Sequence, residues 1–555
     1  MRISGADIVM EVLLEQGVDT VFGYPGGQVI DLFDSLYKYS DRITNILTAH
    51  EQGAAHAADG YARASGKVGV VFATSGPGAT NLVTGIATAH LDSIPLVAIT
   101  GNVPCGLIGR DSFQEVDITG VTMPITKHNF MVKDIDELAD TLRLAFNIAC
   151  SGRPGPVLVD IPKDVQTSVT AFENKPVAPL DAPPAPSDDA IKKAADMIAQ
   201  AKRPYIYCGG GVIISGASDE IKQLADKIDA PIGCSMMGIS AIPDDDPRFL
   251  GMQGMHGRYA SSVAHDEADL VIIAGGRLSD RATGNKARFA KNTKLIHIDI
   301  DAAELQKNID VQLEIQGDVK DVVARLAEIA PKKACPDWWE RIDELKKKET
   351  GAQNGRLTPY DIVDVIGENA DEDTIIATDV GQHQMWTAQR YPFKKPRTFI
   401  SSGGLGTMGF GMGAAMGAYM STGKRAVLVT GDGSFAMNLN ELATAVTYKI
   451  PLTIVIMNNG VLGMVRQWQT LFFDRHYSNT TLERKTDFVK LADAFGAKGM
   501  RAYDKDEFDA AFKAAFKEDG PVVIECIIDK DDFVLPMLPP GGSIDDIITE
   551  IKEEK

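Results

Sequence analysis

Short apolar runs alternate with amphipathic segments along most of the chain. The clearest case is the pair of runs at 425–430 and 452–457, which enclose a segment whose apolar residues recur at helical spacing. A strand, a helix and a second strand in this order form a β-α-β unit with a right-handed crossover, so the two strands are parallel. Because open α/β sheets bind ligands at the carboxyl ends of their strands, we expect Asp432 and Asn459 to lie together at such an edge.

The first 170 residues show the same alternation. Apolar runs predict strands at 21–24, 44–48, 68–73, 96–100 and 157–160, and the segments between them predict helices at 29–37, 52–65 and 82–91. Strands that alternate with helices are typical of a doubly wound parallel sheet. Five prolines between residues 172 and 187 predict an extended linker after this region.

A second alternating region covers 188–335, where apolar runs end in glycines or acidic residues, which is typical of nucleotide binding. An NAD site is a weak interpretation, because Gly209-Gly210-Gly211 lacks the spacing of the dinucleotide fingerprint. The Lys- and Glu-rich segment 330–354 predicts a solvated connector with a short helix. The predicted fold is therefore α/β, with three doubly wound parallel-sheet domains at 1–170, 188–335 and 357–555.

Charge and composition narrow the classes of partner. The formal net charge of -20 excludes broad binding to nucleic acid or to an anionic membrane, because their phosphates would be repelled. No apolar run approaches the ~18 residues that a membrane span needs. The six cysteines show no metal or disulfide spacing and are expected to be buried, reduced thiols. Together with the absence of a visible leader, these features predict a cytoplasmic protein.

Two carboxylates are candidates for chemistry. The Asp432 carboxylate and the Asn459 amide oxygen suit a hard cation such as Mg2+, although Asp432 alone could simply cap a helix. Glu51 follows a predicted strand and begins a helix, where a carboxylate can merely stabilise the helix dipole. The glycine-rich run 75–78 is not a dinucleotide fingerprint, and it predicts a turn that brings backbone close to a flat ligand.

Several longer motifs resemble a known family over nearly the whole chain. Gly431-Asp432-Gly433 with Asn458-Asn459 resembles the thiamine diphosphate motif, and His50 to Ala55 resembles the segment that carries that superfamily's activating glutamate. The segments 74–81, 111–115, 127–128, 381–386 and 463–469 are similar, more narrowly, to acetohydroxyacid synthase (biosynthetic acetolactate synthase) catalytic subunits.

The resemblance implies a pyrimidine-binding N-terminal domain, a central FAD-binding domain and a C-terminal diphosphate-binding domain. It also implies a homodimer or homotetramer, because the cofactor lies between the pyrimidine domain of one subunit and the diphosphate domain of another. Whether a small regulatory subunit binds is left open by the sequence.

Residue roles are carried over by motif. Thiamine diphosphate contacts are implied for Glu51, Gly76, Pro77, Asn81, Gln382, His383, Gly406, Met408, Gly431, Asp432, Gly433, Ser434, Asn459 and Met464. The implied Mg2+ ligands are Asp432, Asn459 and the backbone carbonyl of Val461. The implied FAD contacts are Arg153, Gly210, Met255, His256, Arg277, Asp299 and Asp318. For catalysis, Glu51 is the activating acid, Arg277 is the candidate for holding the carboxylate of the second substrate, Trp468 packs on its alkyl group, and Gln114 and Lys163 line the entrance.

The implied reaction is decarboxylation of pyruvate on thiamine diphosphate, followed by ligation of the hydroxyethyl unit to a second 2-oxoacid. Pyruvate gives 2-acetolactate and 2-oxobutyrate gives 2-aceto-2-hydroxybutyrate, at the first common step of branched-chain amino acid biosynthesis. The alternatives are a catabolic acetolactate synthase without FAD, another thiamine diphosphate 2-oxoacid decarboxylase, and a catalytically silent homologue. Leu278 and Ser279 depart from the family's usual Phe and Asp, which bears on the strength of FAD binding.

Overall fold

The computed structural model describes residues 1–289, 291–348 and 356–551. Within these ranges the chain forms three parallel six-stranded sheets flanked by helices, together with one two-stranded antiparallel sheet. The predicted α/β fold with three doubly wound sheets is confirmed. Residues 349–354 of the predicted connector and residues 552–555 of the third predicted range lie outside the described residues.

The N-terminal sheet forms from the apolar runs of the first 170 residues. Its strands are β2 Thr20–Tyr24, β3 Thr44–Leu47, β4 Gly69–Ala73, β5 Leu96–Asn102, β6 His128–Met131 and β7 Pro156–Pro162. The strands β1 Arg2–Ser4 and β8 Val169–Ala171 form the small antiparallel sheet. The helices are α1 Gly5–Glu15, α2 Ile30–Lys38, α3 Glu51–Ser65, α4 Pro77–Asn81, α5 Val83–Asp92, α6 Ile118–Thr122, α7 Ile135–Cys150 and α8 Lys163–Thr167. Residues 172–187 carry no regular structure and are mostly exposed, as expected of a linker.

The central sheet follows the linker. Its strands are β9 Pro204–Cys208, β10 Ile232–Cys234, β11 Phe249–Met252, β12 Leu270–Ala274, β13 Lys294–Asp299 and β14 Leu313–Gln316. Its helices are α9 Asp188–Gln200, α10 Gly210–Ser215, α11 Ser218–Ile228, α12 Tyr259–Glu267, α13 Asp280–Thr283, α14 Val319–Ile329 and α15 Pro336–Lys346.

The C-terminal sheet contains the β-α-β unit around residue 432. Its strands are β15 Ile375–Thr378, β16 Phe399–Ile400, β17 Ala426–Gly431, β18 Leu452–Asn458, β19 Lys498–Ala502 and β20 Val522–Ile527. Its helices are α16 Pro359–Asn369, α17 Gln382–Arg390, α18 Phe410–Thr422, α19 Asp432–Asn438, α20 Leu442–Thr447, α21 Gly463–Phe472, α22 Phe488–Phe495 and α23 Lys505–Ala515.

Strand order shows where each sheet can bind a ligand. The orders are β3-β2-β4-β5-β7-β6, β11-β10-β9-β12-β13-β14 and β16-β15-β17-β18-β20-β19, so the first and third sheets share one topology. The central order is that of dinucleotide-binding sheets. In each sheet the chain reverses its direction of winding at one pair of strands, namely β2/β4, β9/β12 and β15/β17. A crevice opens at the carboxyl ends of such a pair.

The connector differs from its prediction. The predicted short helix is present as α15, but it is not solvated, because Trp338, Ile342 and Leu345 are buried against the central sheet. The Trp338 indole N–H donates to the Pro204 carbonyl at 3.1 Å. These three apolar residues recur on one helical face, a signal that the surrounding lysines and glutamates obscure in the sequence.

The N-terminal and C-terminal sheets are joined by a close crossing of α3 and α18. A Cβ added at Gly60 would lie 2.1 Å from the Ala414 carbonyl oxygen, and one added at Gly417 would lie 1.8 Å from the Ala57 carbonyl oxygen. Both distances are far below any real contact, so only glycine permits the two backbones to approach this closely. Packing of His56 edge-on against Phe410 completes the contact.

A buried ion network lies beside this crossing. Arg63 of α3 pairs with Asp59 and, at 2.9 Å, with Asp92, and it donates to the Ser401 carbonyl at 2.9 Å. The Asp92 carboxylate also accepts from the backbone N–H of Gly404 at 2.7 Å. Because every charge in the network has partners, it can be buried without a large penalty while it ties the first sheet to the third.

The six thiol groups are free in the described chain. Cys208, Cys234, Cys335 and Cys526 are buried, as predicted, whereas Cys105 and Cys150 are half-buried, so the prediction of burial is wrong for these two. No helix among the described residues has both the length and the apolar character that a membrane crossing requires.

Asp160 is a fully buried carboxylate on β7. Its oxygens accept from the Thr100 hydroxyl at 2.7 Å and from the Asn102 amide at 2.6 Å. Burial raises the pKa of Asp160 to about 7, even though these two hydrogen bonds act to lower it. The folded chain therefore holds a proton here at pH values where the unfolded chain has released it.

We expect Asp160→Asn to remove a loss of stability that the wild type shows as pH rises from about 4 to about 7. The shift from 3.8 to about 7 corresponds to a cost on the order of 4 kcal/mol once the group is ionised. Apparent melting temperatures of wild type and variant, measured across this range, check the effect, with the exposed Asp41→Asn as the matched control. An equal pH slope in Asp160→Asn and wild type would contradict it.

Candidate active site

The Asp432 corner lies where two neighbouring strands end. Strands β17 and β18 pair in parallel with Gly431 opposite Met457, so the predicted proximity of Asp432 and Asn459 is confirmed. Gly431 occupies the N-cap position of α19, and Asp432 is the first residue of the helix rather than its N-cap. Burial raises the pKa of Asp432 to about 6, although nearby backbone N–H groups oppose this shift. No side-chain cation pairs with this carboxylate in the described chain.

Three oxygen atoms at this corner suit a hard cation. Besides the Asp432 carboxylate, the Asn459 amide oxygen accepts from the Val461 N–H at 3.1 Å, which turns the intervening loop. The Val461 carbonyl accepts no hydrogen bond from the described residues. Carboxylate, amide and carbonyl oxygens are the ligands that Mg2+ prefers. Elsewhere in the described ranges, no group of three or more His, Cys, Asp or Glu side chains could hold a metal.

Beside the corner, two helices begin and present their N-termini to the same space. These are α17, starting at Gln382, and α21, starting at Gly463. A Cβ on Gly463 would lie 1.9 Å from the Gln382 amide oxygen and 2.9 Å from the Asn459 amide nitrogen, so the three residues form one junction. Free backbone N–H groups and the helix dipoles make such a junction favourable for an anion.

His383 has a ring nitrogen with no partner. The residue is buried, and its Nε2 atom has no hydrogen bond. Burial lowers the pKa of His383 to about 3, so the ring is neutral. A Cβ on Gly431 would lie 3.0 Å from the ring, which places the imidazole beside the Asp432 corner. A bound phosphate oxygen would give Nε2 a partner once that nitrogen carries a proton.

The glycine-rich loop before α18 continues this site. Gly406 has a φ of 70°, which favours glycine, and Met408 is half-buried. The Gly409 N–H donates to the Ser434 hydroxyl at 3.3 Å and so connects the loop to α19. Gly406 and Met464 both line the large cavity described below.

Glu51, the second candidate carboxylate, lies at the edge of the N-terminal sheet as the first residue of α3. His50 caps α3 with its side chain, so Glu51 does not serve as the cap. Instead the Glu51 carboxylate accepts from the Asn81 amide at 2.9 Å, and it lies about as close to Gly78, whose added Cβ would be 3.1 Å away. The nearby Ser75 hydroxyl is buried without a partner.

The remaining predicted residues of this edge contact the turns around it. A Cβ on Gly76, next to Pro77, would lie 2.8 Å from the Gln114 carbonyl oxygen, and Gln114 itself has a φ of 60°. Lys163 is engaged, because it donates to the Gly27 carbonyl at 2.9 Å and pairs with Asp31 at 3.3 Å. No hydrogen bond or ion pair in the described chain joins Glu51 to Asp432 or Asn459.

A cavity of about 1530 Å³ lies between the central sheet and the other two. Its floor is the β9/β12 reversal point, where the Gly211 N–H donates to the Gly275 carbonyl at 3.0 Å. All residues predicted to contact FAD line it: Arg153, Gly210, Met255, His256, Arg277, Asp299 and Asp318. The His256 Nδ1 atom is buried without a partner, as expected for a wall that faces a polar ligand.

Arg153 and Arg277 both line this cavity. Arg153 donates to the Ser93 hydroxyl at 2.8 Å and pairs with Glu304 at 2.6 Å. The Arg277 guanidinium has no hydrogen bond or ion pair to another described residue, and burial, together with Arg153, lowers its pKa. An unpaired, half-buried guanidinium beside a second one is suited to an anionic ligand such as a phosphate.

Trp468 also lines the cavity, and its cationic neighbour is Arg281. The Arg281 guanidinium is 5.6 Å from the centre of the indole ring, and it also contacts the Met255 sulfur at 3.8 Å. No described contact joins Arg277 to Trp468. The contacts therefore favour Arg281 over Arg277 as the partner of Trp468. Both arginines stand in one motif, so the sequence alone does not distinguish them.

The C-terminal segment closes over this region. The Val534 N–H donates to the side-chain oxygen of Gln467 at 2.9 Å, and the side-chain NH2 of Gln467 donates to the Val534 carbonyl at 3.0 Å. The Leu538 N–H donates to the Met255 carbonyl at 2.7 Å. Val534 and Met537 are fully buried. The segment thus connects α21, which carries Trp468, to the wall of the cavity.

Family models match three parts of the chain. The N-terminal TPP-binding domain of thiamine pyrophosphate enzymes matches residues 3–121, the central domain of these enzymes matches 191–326, and their C-terminal TPP-binding domain matches 379–526. The three matches follow the three sheets.

Curated relatives match the chain over its whole length. A probable acetolactate synthase large subunit of Methanocaldococcus jannaschii is 47% identical, covering 100% of this chain and 96% of its own. The acetolactate synthase isozyme 1 large subunit of Escherichia coli is 44% identical over 99% and 98% of the two chains. An acetolactate synthase of Mycobacterium bovis is 45% identical over 98% and 91%.

Proposed function

The chain belongs to the acetolactate synthase large-subunit family of thiamine pyrophosphate enzymes, and on this premise we propose how its residues divide the reaction. The activity is thiamine diphosphate-dependent transfer: pyruvate loses CO2, and its two-carbon remainder joins a second 2-oxoacid. This is the first common step of branched-chain amino acid biosynthesis. The observation that best supports the residue assignment is the buried Asp432 carboxylate, which pairs with no side-chain cation among the described residues and lies beside two helix N-termini.

The Asp432 corner would hold Mg2+ through Asp432, Asn459 and the Val461 carbonyl. The cation would neutralise the diphosphate, whose oxygens the N-termini of α17 and α21 would receive together with Gln382 and His383. This division fits the orphan Nε2 atom of His383 and the space that only glycine leaves at position 463. Met408, at the end of the glycine-rich loop, would contact the cofactor.

The large cavity would hold FAD. Its volume, its place at the reversal point of a dinucleotide-type sheet and its unpaired Arg277 guanidinium support this assignment. Leu278, which departs from the family pattern, is 3% exposed and packs in the hydrophobic core of the central domain. The reaction involves no net redox change, so FAD would serve a structural purpose.

When bound, thiamine diphosphate supplies a carbanion nucleophile and accepts the electron pair that decarboxylation releases. Glu51 would hold a proton at N1′ of the aminopyrimidine and so tune the basicity of its amino group. Asn81 donates to the Glu51 carboxylate at 2.9 Å and so fixes its orientation.

The choice of the second substrate would rest with Arg281 and Trp468. A guanidinium can grip a 2-oxoacid carboxylate bidentately, and the indole can pack on the alkyl group of the acid. Because Arg281 lies over Trp468, the two functions are adjacent. Arg277, which the sequence suggested for the carboxylate, is assigned to FAD instead.

The membership in the thiamine pyrophosphate enzymes supports an assembly of at least two chains. Each chain would supply its 1–170 domain to one cofactor and its 357–555 domain to another, so at least a homodimer is needed. The relatives named as large subunits suggest a small regulatory partner. We place the enzyme in the cytoplasm, in keeping with its free cysteines.

Replacement of Glu51 tests the activation step. We expect Glu51→Gln to lower kcat by about 10²–10⁴-fold, because the amide cannot hold the N1′ proton in the same way. The affinity for thiamine diphosphate should stay within about threefold, as titration calorimetry would measure. The exposed Glu137→Gln serves as the control, and unchanged turnover in Glu51→Gln would remove its assigned role.

A single methyl group tests the diphosphate site. Gly463→Ala would place a Cβ 1.9 Å from the Gln382 oxygen, and we expect the affinity for thiamine diphosphate in Mg2+ to fall by about tenfold or more. Gly520→Ala is the matched control, because its Cβ meets nothing within 4 Å. Wild-type affinity in Gly463→Ala would show that the junction of residues 382, 459 and 463 does not bind the cofactor.

The two arginines can be separated by the same conservative change. We expect Arg281→Lys to raise KM for the second 2-oxoacid by about tenfold while the flavin absorbance of the purified enzyme is kept, because a point charge replaces a bidentate fork. Arg277→Lys should show the opposite pattern, with flavin lost and the discrimination between pyruvate and 2-oxobutyrate unchanged. Exchange of these two phenotypes would restore the original assignment of Arg277.

A further inference from the structure

Glu441 is a completely buried carboxylate that belongs to none of the groups described above. It is the last residue of the short 3-10 helix Leu439–Glu441, which continues directly from α19. Its Oε2 atom accepts from the Thr444 hydroxyl at 2.7 Å and from the Ala49 backbone N–H at 3.1 Å. The second bond crosses from the C-terminal sheet region to the N-terminal one.

The Ala49 bond reaches the backbone that presents Glu51. Ala49 and His50 are the last residues before α3, and Glu51 is the first residue of that helix. The backbone N–H of His50 also acts on the Glu441 carboxylate. Two N–H groups on the approach to Glu51 are therefore directed at one side chain from another domain.

Gly53 shows how closely the carboxylate packs on α3. A Cβ added to Gly53 would lie 2.1 Å from Oε1 of Glu441 and 2.4 Å from its carboxyl carbon. The carboxylate thus occupies the space of the missing side chain in the first turn of α3. A negative charge at this end of a helix is also favoured by the helix dipole.

These contacts distinguish Glu441 from an ordinary buried acid. A residue that only held the domains together could bond any part of their interface, whereas Glu441 bonds the segment whose backbone sets the position of Glu51. On its own side, Glu441 is rigidly connected to Asp432, because α19 begins at Asp432 and runs into the turn that ends at Glu441.

We infer that Glu441 is a positioning residue for Glu51: it fixes the backbone at Ala49 and His50 so that the Glu51 carboxylate meets the cofactor at the required distance. The inference rests on the role proposed for Glu51. It implies that the diphosphate domain of a chain sets the activating acid of the same chain, although the two serve different cofactors.

The expected loss of kcat follows from the precise geometry that proton transfer requires. A displacement of about 1 Å at a reacting group can cost about 10²-fold in rate. We expect Glu441→Ala to lower kcat by about 10- to 100-fold with KM for pyruvate within about threefold. Glu441→Gln keeps an oxygen that can accept the same N–H bonds, so its kcat should stay within about threefold of the wild type.

Two further measurements report on the position of Glu51 rather than on the overall rate of the reaction. In the chain without cofactor, deuterium exchange of the backbone N–H groups in peptide 48–52 should become at least about tenfold faster in Glu441→Ala, because the acceptor is lost. In the loaded enzyme, NMR should show that deuterium exchange at C2 of bound thiamine diphosphate slows by the same factor as kcat.

Gly53→Ala gives an independent test that leaves Glu441 in place. Its Cβ would displace the carboxylate, so it should reproduce the faster amide exchange, the slower C2 exchange and the lower kcat of Glu441→Ala. If Glu441→Ala does not fold, Gly53→Ala and Glu441→Gln carry the test. Gly520→Ala again serves as the control for a harmless added methyl.

The inference is overturned if Glu441→Ala or Gly53→Ala lowers only the melting temperature, while kcat, C2 exchange and amide exchange stay at wild-type values. Glu51→Gln separates this outcome from failure of the proposed function. If Glu51→Gln slows C2 exchange but the other two variants do not, only the positioning role is lost. If Glu51→Gln itself leaves C2 exchange unchanged, the role of Glu51 is lost.

Discussion

The close crossing of α3 and α18 is the contact on which the arrangement of the functional groups depends. The carbonyl oxygens of Ala57 and Ala414 lie where side chains would stand in an ordinary helix pair. Each helix begins at a functional edge: α3 begins at Glu51, and α18 follows the loop that carries Met408. Asp379 holds the start of α18, because it accepts from the Gly411 N–H at 2.7 Å and from the Thr430 hydroxyl at 2.7 Å. The contact between α3 and α18 therefore fixes the positions of both Glu51 and the loop that carries Met408.

The three sheets share a principle but differ in topology. Each exposes the carboxyl ends of two strands at the point where the winding reverses, and each of these points is lined by glycines. The first and third sheets have the same strand order, whereas the central order suits a dinucleotide. The shared order is visible only in the fold, because the two sheets show no evident sequence repeat.

Local patterns predicted the sheets and the Asp432 corner well, because strand and helix periodicity and a short β-α-β unit are encoded within a few tens of residues. Long-range contacts were not predictable in the same way. Ala49 and Glu441 meet although they are far apart in sequence, and no pattern marks Glu441 as different from other glutamates. The choice between Arg277 and Arg281 depends on which one Trp468 faces. Trp338 was obscured by its charged neighbours, although its spacing to Ile342 and Leu345 was a usable signal.

The glycines of the helix crossing have a consequence at the level of the gene. Every single-base missense change in a glycine codon introduces a residue with a Cβ atom, whatever else that residue carries. At Gly60 and Gly417 that atom would meet a main-chain oxygen at 2.1 and 1.8 Å, and a main-chain oxygen cannot turn aside like a side chain. These two codons therefore tolerate only synonymous substitutions, and laboratory evolution of substrate choice has to use other positions.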